Sequence, residues 1–162
     1  MYRLHDMTEP PASPELVDVE VTTTAVIRGV VAATDFAAFF DRSFSKLASV
    51  LAGQGVEITG PAFALYHGPV TDSANLEVGF PTASEVQPQD GVEAASLPSG
   101  RAVRTVHAGG YDRLAAAWTA LRQWIDENGI EPAGITWEVY VTEPSPDMDP
   151  ADLRTELVWP IA

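Results

Sequence analysis

Apolar side chains recur at helical spacing in two stretches, one in each half of the chain. The first stripe consists of Phe36, Phe39, Phe40, Phe44, Leu47 and Leu51, and the second of Tyr111, Leu114, Trp118, Leu121 and Ile125. Intervals of three and four place such residues on one face of an amphipathic helix. The first helix should begin with Asp35 as its N-cap and end at Gly53 or Gly55. The second should end at Gly129.

Residues that favour strands surround both predicted helices. Valine and threonine dominate residues 17–31, and short apolar runs bounded by glycine or proline occupy 63–66, 76–80, 102–107, 137–141 and 154–159. β-branched and aromatic residues favour pleated, half-buried strands. The pattern therefore predicts a strand, helix, strand, strand order in each half of the chain.

The two halves carry the same landmarks in the same order. Gly55, Gly60 and Tyr66 recur 74 residues later as Gly129, Gly134 and Tyr140; Glu77, Phe80 and Pro81 recur 79 residues later as Glu156, Trp159 and Pro160; and Val19-Glu20 matches Val92-Glu93. The simplest interpretation is a tandem duplication of a βαββ module, with repeat 1 at about 17–82, a linker at about 83–91 and repeat 2 at about 92–161. An accidental repeat of ordinary α+β elements is the alternative.

One βαββ unit cannot close a core alone, because its single helix covers only one face of a small sheet. Two units related by a pseudo-twofold axis can join their sheets. We therefore predict an α+β fold with one antiparallel sheet, both helices on one face and a ligand groove on the other face. Residues 1–15, where prolines interrupt a polar stretch, should form a disordered lead-in to a single domain at 16–162.

Composition narrows the classes of function. The chain has 162 residues, 23 acidic and 9 basic side chains, a formal net charge of −14 and no cysteine. Disulfides, thiolate zinc sites and thiol nucleophiles are thereby excluded, and so acidic a chain is unsuited to direct nucleic-acid binding. No apolar stretch reaches the roughly 18–20 residues of a membrane span, and no signal peptide is evident. We therefore expect a cytoplasmic domain without a cofactor. We expect no metal site either, since His5, His67 and His107 are too dispersed in sequence for a metal motif.

Glu138 is the sharpest candidate for chemistry, because it interrupts an apolar and aromatic strand. Alternation places Glu138 and Tyr140 on one face of that strand and Trp137 on the other. If Trp137 packs on the helices, Glu138 points into the groove. The matching position in the first half is Ala64, so the site would be asymmetric. A carboxylate among aromatic rings has a raised pKa and favours an arriving cation; a solvated glutamate at a sheet edge is the alternative.

Several aromatic side chains could line the same site. Tyr66 and Tyr140 occupy matching positions and would flank the groove from opposite halves. Further candidates for ligand contact are Trp137, Trp118, Tyr111 and Trp159. Tyr111 and Trp118 lie on the second helical stripe, and such a stripe more often belongs to the core than to a site. His107 should form a hydrogen bond in the turn that follows its strand. Glu77 and Glu156 are expected to be solvated.

Four segments, taken in order, resemble the GyrI-like small-molecule-binding domain family. Residues 97–102 (LPSGRA) resemble its "LPxGxxA" strand, 107–111 (HAGGY) its "HxGxY" turn, 137–140 (WEVY) its "xExY" strand, and 155–160 its closing strand. The similarity extends from about residue 17 to 161. Gly110 departs from the pattern, because proline is more usual there and its absence would loosen the turn.

The resemblance implies a duplicated βαββ fold (the SHS2 module) with a ligand groove between the halves. Relatives include effector-binding domains of multidrug-responsive transcription activators, gyrase-inhibitor-like stand-alone proteins, and hydrolases of cyclopropane-bearing toxins. Glu138 matches the glutamate that meets cationic ligands, or serves as the catalytic carboxylate in the hydrolases. Because no helix-turn-helix segment precedes residue 17, we expect no direct DNA binding.

Three hypotheses follow. The favoured one is a stand-alone protein that binds amphipathic, aromatic, cationic small molecules around Glu138. The second is a hydrolase of cyclopropanoid electrophiles, with Glu138 as general base and Tyr66 or Tyr140 as donor to the developing oxyanion. The third is an acidic inhibitor or protector of a topoisomerase-type enzyme, acting on a protein partner that the sequence does not identify.

Overall fold

An eight-stranded antiparallel sheet and two α-helices form the fold in the computed structural model, which describes residues 13–142 and 145–162. The strands are β1 (Glu15–Val19), β2 (Thr22–Ala32), β3 (Phe63–His67), β4 (Ser73–Pro81), β5 (Glu93–Leu97), β6 (Gly100–Ala108), β7 (Ile135–Tyr140) and β8 (Arg154–Pro160), and the helices are α1 (Phe36–Gln54) and α2 (Leu114–Glu127). The α+β class is confirmed. Of the predicted lead-in, residues 1–12 lie outside the described residues, and β1 already begins at Glu15.

Both predicted helices form, with differences at their ends. α1 ends where Gly55 adopts a left-handed φ of +68° and donates its N–H to the last turn. The cap predicted at Asp35 is wrong, because the Asp35 carboxylate accepts no capping hydrogen bond. Asp35 closes a 3-10 turn and has ψ of 2°, outside the extended conformation of a capping residue. Tyr111 likewise precedes α2, in the 3-10 turn Tyr111–Arg113.

The strand order is β1-β6-β8-β7-β3-β4-β2-β5. β3 and β7 lie side by side at the centre, with Ala64 paired with Glu138. The outermost strands are exchanged between the two halves of the chain, since β1 pairs with β6 and β5 pairs with β2. Neither half can therefore complete its part of the sheet alone.

Both helices pack on the same face of the sheet. α1 covers β2 and β4, where Leu47 and Leu51 join a buried cluster with Leu76. α2 covers β6, where Leu121 lies in a cluster with Val103. The central strands consequently lie in the interval between the two helices. Neither of these two helices in the described ranges is long and apolar enough to cross a membrane.

The opposite face has a core of its own. Phe63, Trp137 and Val158 are buried there, and Val19 and Leu97, from the outermost strands, pack against them. The sheet therefore curls around its second face, which is how apolar side chains on both faces of the central strands are buried.

Candidate functional site

Glu138 lies on the helix-bearing face, between α1 and α2. Trp118 of α2 donates its indole N–H to Glu138, and the ring of Phe40 of α1 lies against Tyr140 with 6.4 Å between centroids. The prediction that Trp137 packs on the helices while Glu138 points away from them is therefore wrong. Glu138 and Trp137 do lie on opposite faces of β7, as alternation predicts. Trp137 is buried on the face away from the helices, because the curled sheet forms a second apolar core there.

The Glu138 carboxylate is buried and bound by two neutral donors. Only 5% of the residue is exposed. Its Oε1 accepts from the Trp118 indole at 2.9 Å, and its Oε2 accepts from the Tyr140 hydroxyl at 2.6 Å. Burial raises the pKa of Glu138, while these two hydrogen bonds and the nearby His107 oppose the rise. The site thus holds a carboxylate that is desolvated and has no ion pair among the described residues.

Aromatic rings form the walls around this carboxylate. Tyr66 is buried in the cluster against which Tyr140 packs. Tyr111 meets Tyr140 edge-on with 5.8 Å between ring centroids, and 40% of Tyr111 remains exposed. Burial, followed by the proximity of Glu138, raises the pKa of all three tyrosines. Their hydroxyls therefore stay protonated and able to donate at neutral pH.

Trp159 and His107 support the site from β8 and β6. Trp159 packs edge-on against Trp118 at 5.8 Å and is fixed by donating its indole N–H to the Ala133 carbonyl at 3.1 Å. The predicted hydrogen bond of His107 in the turn is confirmed, because its Nε2 lies 3.1 Å from the Gly110 carbonyl oxygen. That bond anchors the turn from which Tyr111 projects.

Three predicted residues lie elsewhere. Trp137 faces the opposite side of the sheet and shares no site with Glu138. Glu77, expected in solvent, is buried at 4% exposure, with Arg28 Nε at 3.3 Å and His67 Nε2 at 3.1 Å. Glu156 is half-buried and borders a cleft on the face away from the helices. Periodicity in the sequence could not fix these environments, because they depend on strands that are distant in sequence.

Phe40 is the wall residue that sequence reasoning assigned to the core. It is half-buried, and it stacks with Phe36 at 6.2 Å as well as contacting Tyr140. No pattern in the sequence separates Phe40 from the other residues of its helical stripe, because its contact with Tyr140 depends on how α1 packs on the sheet. Among the described residues, no group of three or more His, Asp or Glu side chains is arranged to hold a metal ion.

A model of the GyrI-like small-molecule-binding domain matches residues 12–162, so the chain belongs to that family. The family resemblance of its motifs is thereby confirmed. No curated protein matches the sequence.

Solved structures repeat the fold. The chain superposes on the EcmrR C-terminal domain with a TM-score of 0.80 at 22% identity, covering 93% of this chain and 97% of that one. On the EcmrR–DNA complex in EcmrR-RPo the chain superposes with a TM-score of 0.82 at 22% identity, covering 92% of this chain and 57% of that one. The chain therefore spans little more than half of that EcmrR chain.

Two more distant structures share the fold. SAV2435 bound to tetraphenylphosphonium has a TM-score of 0.68 at 12% identity, covering 93% of this chain and 94% of that one. A hydrolase encoded by lin2189 from Listeria innocua has a TM-score of 0.65 at 12% identity, with coverages of 98% and 96%. At these identities the likeness is one of fold.

Proposed function

We propose that this GyrI-like domain binds amphipathic aromatic cations at Glu138, in the interval between α1 and α2. The observation that carries the proposal is the environment of the carboxylate. Glu138 is almost fully buried, and both groups that donate to it, an indole and a phenol, are neutral. A buried anion with neutral partners is costly, and a cation that reaches it removes much of that cost.

The surrounding rings favour an aromatic or lipophilic cation over a hydrated one. A cation placed over the ring of Trp118 or Tyr140 gains about 0.5–2 kcal/mol per ring. Apolar groups of the ligand would contact Phe40 and Tyr111, at about 25 cal/mol per Å² buried. A hydrophilic ion would recover neither contribution, which is why we expect selectivity for amphipathic ligands.

Ligand entry requires a movement of the wall, because so little of Glu138 is exposed. Tyr111 is the wall residue best placed to move. It is 40% exposed and projects from a short 3-10 turn, whereas Tyr140 and Tyr66 belong to central strands. We propose that Tyr111 swings outward when the ligand enters and closes against it afterwards.

Binding can be measured by quenching of tryptophan fluorescence, because Trp118 touches the carboxylate directly. Tetraphenylphosphonium, the ligand of the SAV2435 structure, serves as the probe, and neutral triphenylphosphine oxide serves as its uncharged counterpart. Glu138→Gln should weaken tetraphenylphosphonium binding at least tenfold and leave the oxide little affected. Glu57→Gln removes the same charge at an exposed position in the loop after α1 and should bind like the wild type.

Hydrolysis of cyclopropanoid electrophiles is the second candidate, favoured by the 2.6 Å contact between the Tyr140 hydroxyl and Glu138. A raised pKa suits Glu138 to act as general base for water. Water would attack one cyclopropane carbon while Glu138 takes its proton. The ring C–C bond would break with its electron pair passing to a conjugated carbonyl of the substrate, and a tyrosine hydroxyl would donate to that oxyanion. Mass spectrometry of such a compound after incubation distinguishes the two functions, since hydrolysis adds one water and binding adds nothing.

We further propose that the domain arose by tandem duplication of a βαββ module, each copy of which is preceded by one further strand, β1 or β5. The strand order supports this, because β7, β8 and β6 follow one another outward on one side of the centre as β3, β4 and β2 do on the other. Each side then ends with the exchanged edge strand, β1 or β5. Ala64 and Glu138, which match at the 74-residue offset, pair with each other across that centre. The match of Val19 with Val92 is wrong, because Val19 ends β1 whereas Val92 precedes β5; Glu15–Val19 corresponds instead to Glu93–Leu97.

A further inference from the structure

A cleft of about 480 Å³ opens on the sheet face away from the helices. Its floor is apolar and consists of Phe63, Trp137, Val139 and Val158. Its volume lies within the range of about 300–1,000 Å³ that is typical of small-molecule sites. Because strands alternate, this cleft and the Glu138 site lie on opposite faces of β7 and are separate.

The exchange of the outermost strands builds the far wall of the cleft. β1 ends with Val19 paired with Gly100 of β6, and β2 begins with Thr22 paired with Leu97 of β5. These two pairs bring the β1–β2 link and the end of β5 over the central strands. Val19, Thr22 and Leu97 accordingly line the cleft opposite its floor.

Two polar groups in the lining have no partner in the part of the chain that the structure describes. The Glu156 carboxylate is half-buried, and no described residue pairs with it or hydrogen-bonds to it. The Trp137 indole, in a residue that is only 3% exposed, likewise has no acceptor among the described residues. Neither group belongs to the enclosed, unpaired side-chain atoms of the described residues, which are Thr24 Oγ1 and Thr155 Oγ1. Both groups lie in the cleft lining and are available to a ligand there.

The charged residues in the lining favour a ligand with a positive charge. Asp18 and Glu20 stand with Glu156 around the cleft. The cationic residue of the lining, Arg104, is already bound to Glu15, with 2.8 Å between Nη2 and Oε1. Asp18 is also paired, with 3.6 Å between its Oδ1 and Arg101 Nε. An anion would therefore meet the unpaired carboxylates of Glu20 and Glu156 and a neutralised guanidinium, whereas a cation would meet a free carboxylate next to an apolar floor.

We propose that this cleft is a second small-molecule site, specific for arylalkyl ammonium compounds. The ammonium group binds Glu156, the aromatic body lies on the floor against Phe63 and Val139, and the Trp137 indole N–H donates to an acceptor on the ligand where one is present. The site is independent of the one proposed at Glu138, because it uses other side chains on the other face of the sheet.

The test uses 2-phenylethylammonium as probe and the ¹H–¹⁵N signal of the Trp137 indole as reporter. The experiment is done in full-length Glu138→Gln protein, so that the first site lacks its carboxylate, and Trp137→Phe assigns the signal. The Trp137 signal should shift saturably. Glu156→Gln should weaken binding at least fivefold, and neutral 2-phenylethanol should bind correspondingly more weakly. Glu131→Gln, an exposed change of the same charge, should bind like its parent.

A variant that fills the cleft provides a second criterion. Leu97→Trp places a large ring at the half-buried wall and should abolish the shift while the remaining spectrum stays folded. The proposal is overturned if the Trp137 signal does not move, if only the Trp118 signal moves, if Glu156→Gln binds as well as Glu131→Gln, or if the shift persists in Leu97→Trp. Loss of tetraphenylphosphonium binding at Glu138 would leave all of these outcomes unchanged.

Discussion

The Trp118 indole reaches from α2 to the centre of the sheet and donates to the Glu138 carboxylate at 2.9 Å. Through this hydrogen bond, the packing of α2 on the sheet affects how strongly the negative charge of Glu138 is stabilised. Trp118 in turn packs edge-on against Trp159, whose own indole is fixed to the Ala133 carbonyl. The position of the carboxylate therefore depends on successive contacts through both α2 and β8. Substitutions at these contacts should change the hydrogen bonding and the pKa of Glu138.

Trp118→Phe should destabilise the protein by about 1–3 kcal/mol, because it leaves Oε1 of a buried carboxylate without a donor. It should also raise the pKa of Glu138 further, since a hydrogen bond to the charged form is lost. Urea unfolding measures the first effect. Trp124→Phe, a half-buried residue of the same helix whose indole has no acceptor among the described residues, is the matched control. Equal losses in both variants would contradict the account.

Glu138→Gln should raise thermal stability at neutral pH. Burial raises the pKa of Glu138 in the folded state above its ordinary value of 4.5. Its stabilising contribution is therefore fully present below pH 4.5 and is lost as the pH rises through the folded-state pKa. The variant has no such loss. Melting curves from pH 5 to 8 should show its advantage growing with pH, and a difference that is constant or reversed would show that Glu138 is not desolvated as described.

Tetraphenylphosphonium affinity should increase with pH and level off above the folded-state pKa of Glu138. The probe carries a permanent charge, so the change reports protonation of the protein, and deprotonated Glu138 is the form that attracts a cation. Titrations at several pH values measure this. Affinity in Glu138→Gln should be nearly independent of pH, and an equal slope in both proteins would assign the effect to another group.

Much of the fold and the identity of the central residue could be predicted from the sequence. The stripes that include Phe39 and Leu121 became α1 and α2, because intervals of three and four define a helix face directly. Glu138 was found because a carboxylate inside an apolar strand is uncommon. The sequence could not show which face of β7 meets the helices, since both faces are apolar in a curled sheet. Nor could it show the burial of Glu77, which depends on Arg28 from the neighbouring strand.

Gly110→Pro should stabilise the protein by about 0.4–1 kcal/mol and slow ligand association. Gly110 has φ of −69° and ψ of 160°, a conformation that proline adopts. A Cβ there would lie 2.6 Å from Asp112 Oδ1, but that side chain is exposed and can move aside. A stiffer turn should hinder the outward movement of Tyr111.

Unfolding in urea and stopped-flow quenching by tetraphenylphosphonium measure the two effects. Gly110→Ala adds the same Cβ without the ring and is the control for the contact with Asp112. A proline variant that associates as fast as the alanine variant would show that the turn does not limit entry.

The chain should tolerate a break between Asp90 and Gly91 only when both fragments are present. β1 pairs with β6, and β5 pairs with β2, so each fragment lacks an edge strand that the other supplies. Fragments 1–90 and 91–162, each aggregated or unfolded alone, should co-purify as one folded complex when co-expressed. Independent folding of either fragment, seen by circular dichroism, would contradict the exchanged topology.

The most direct test of the binding site is the structure of the wild-type protein in complex with tetraphenylphosphonium. We predict the phosphorus between α1 and α2, next to the Glu138 carboxylate, with the rings of Trp118 and Tyr140 within about 6 Å of the cation and Tyr111 displaced outward. A well-ordered phosphonium anywhere else, with Glu138 still enclosed by Trp118 and Tyr140, would contradict the central claim.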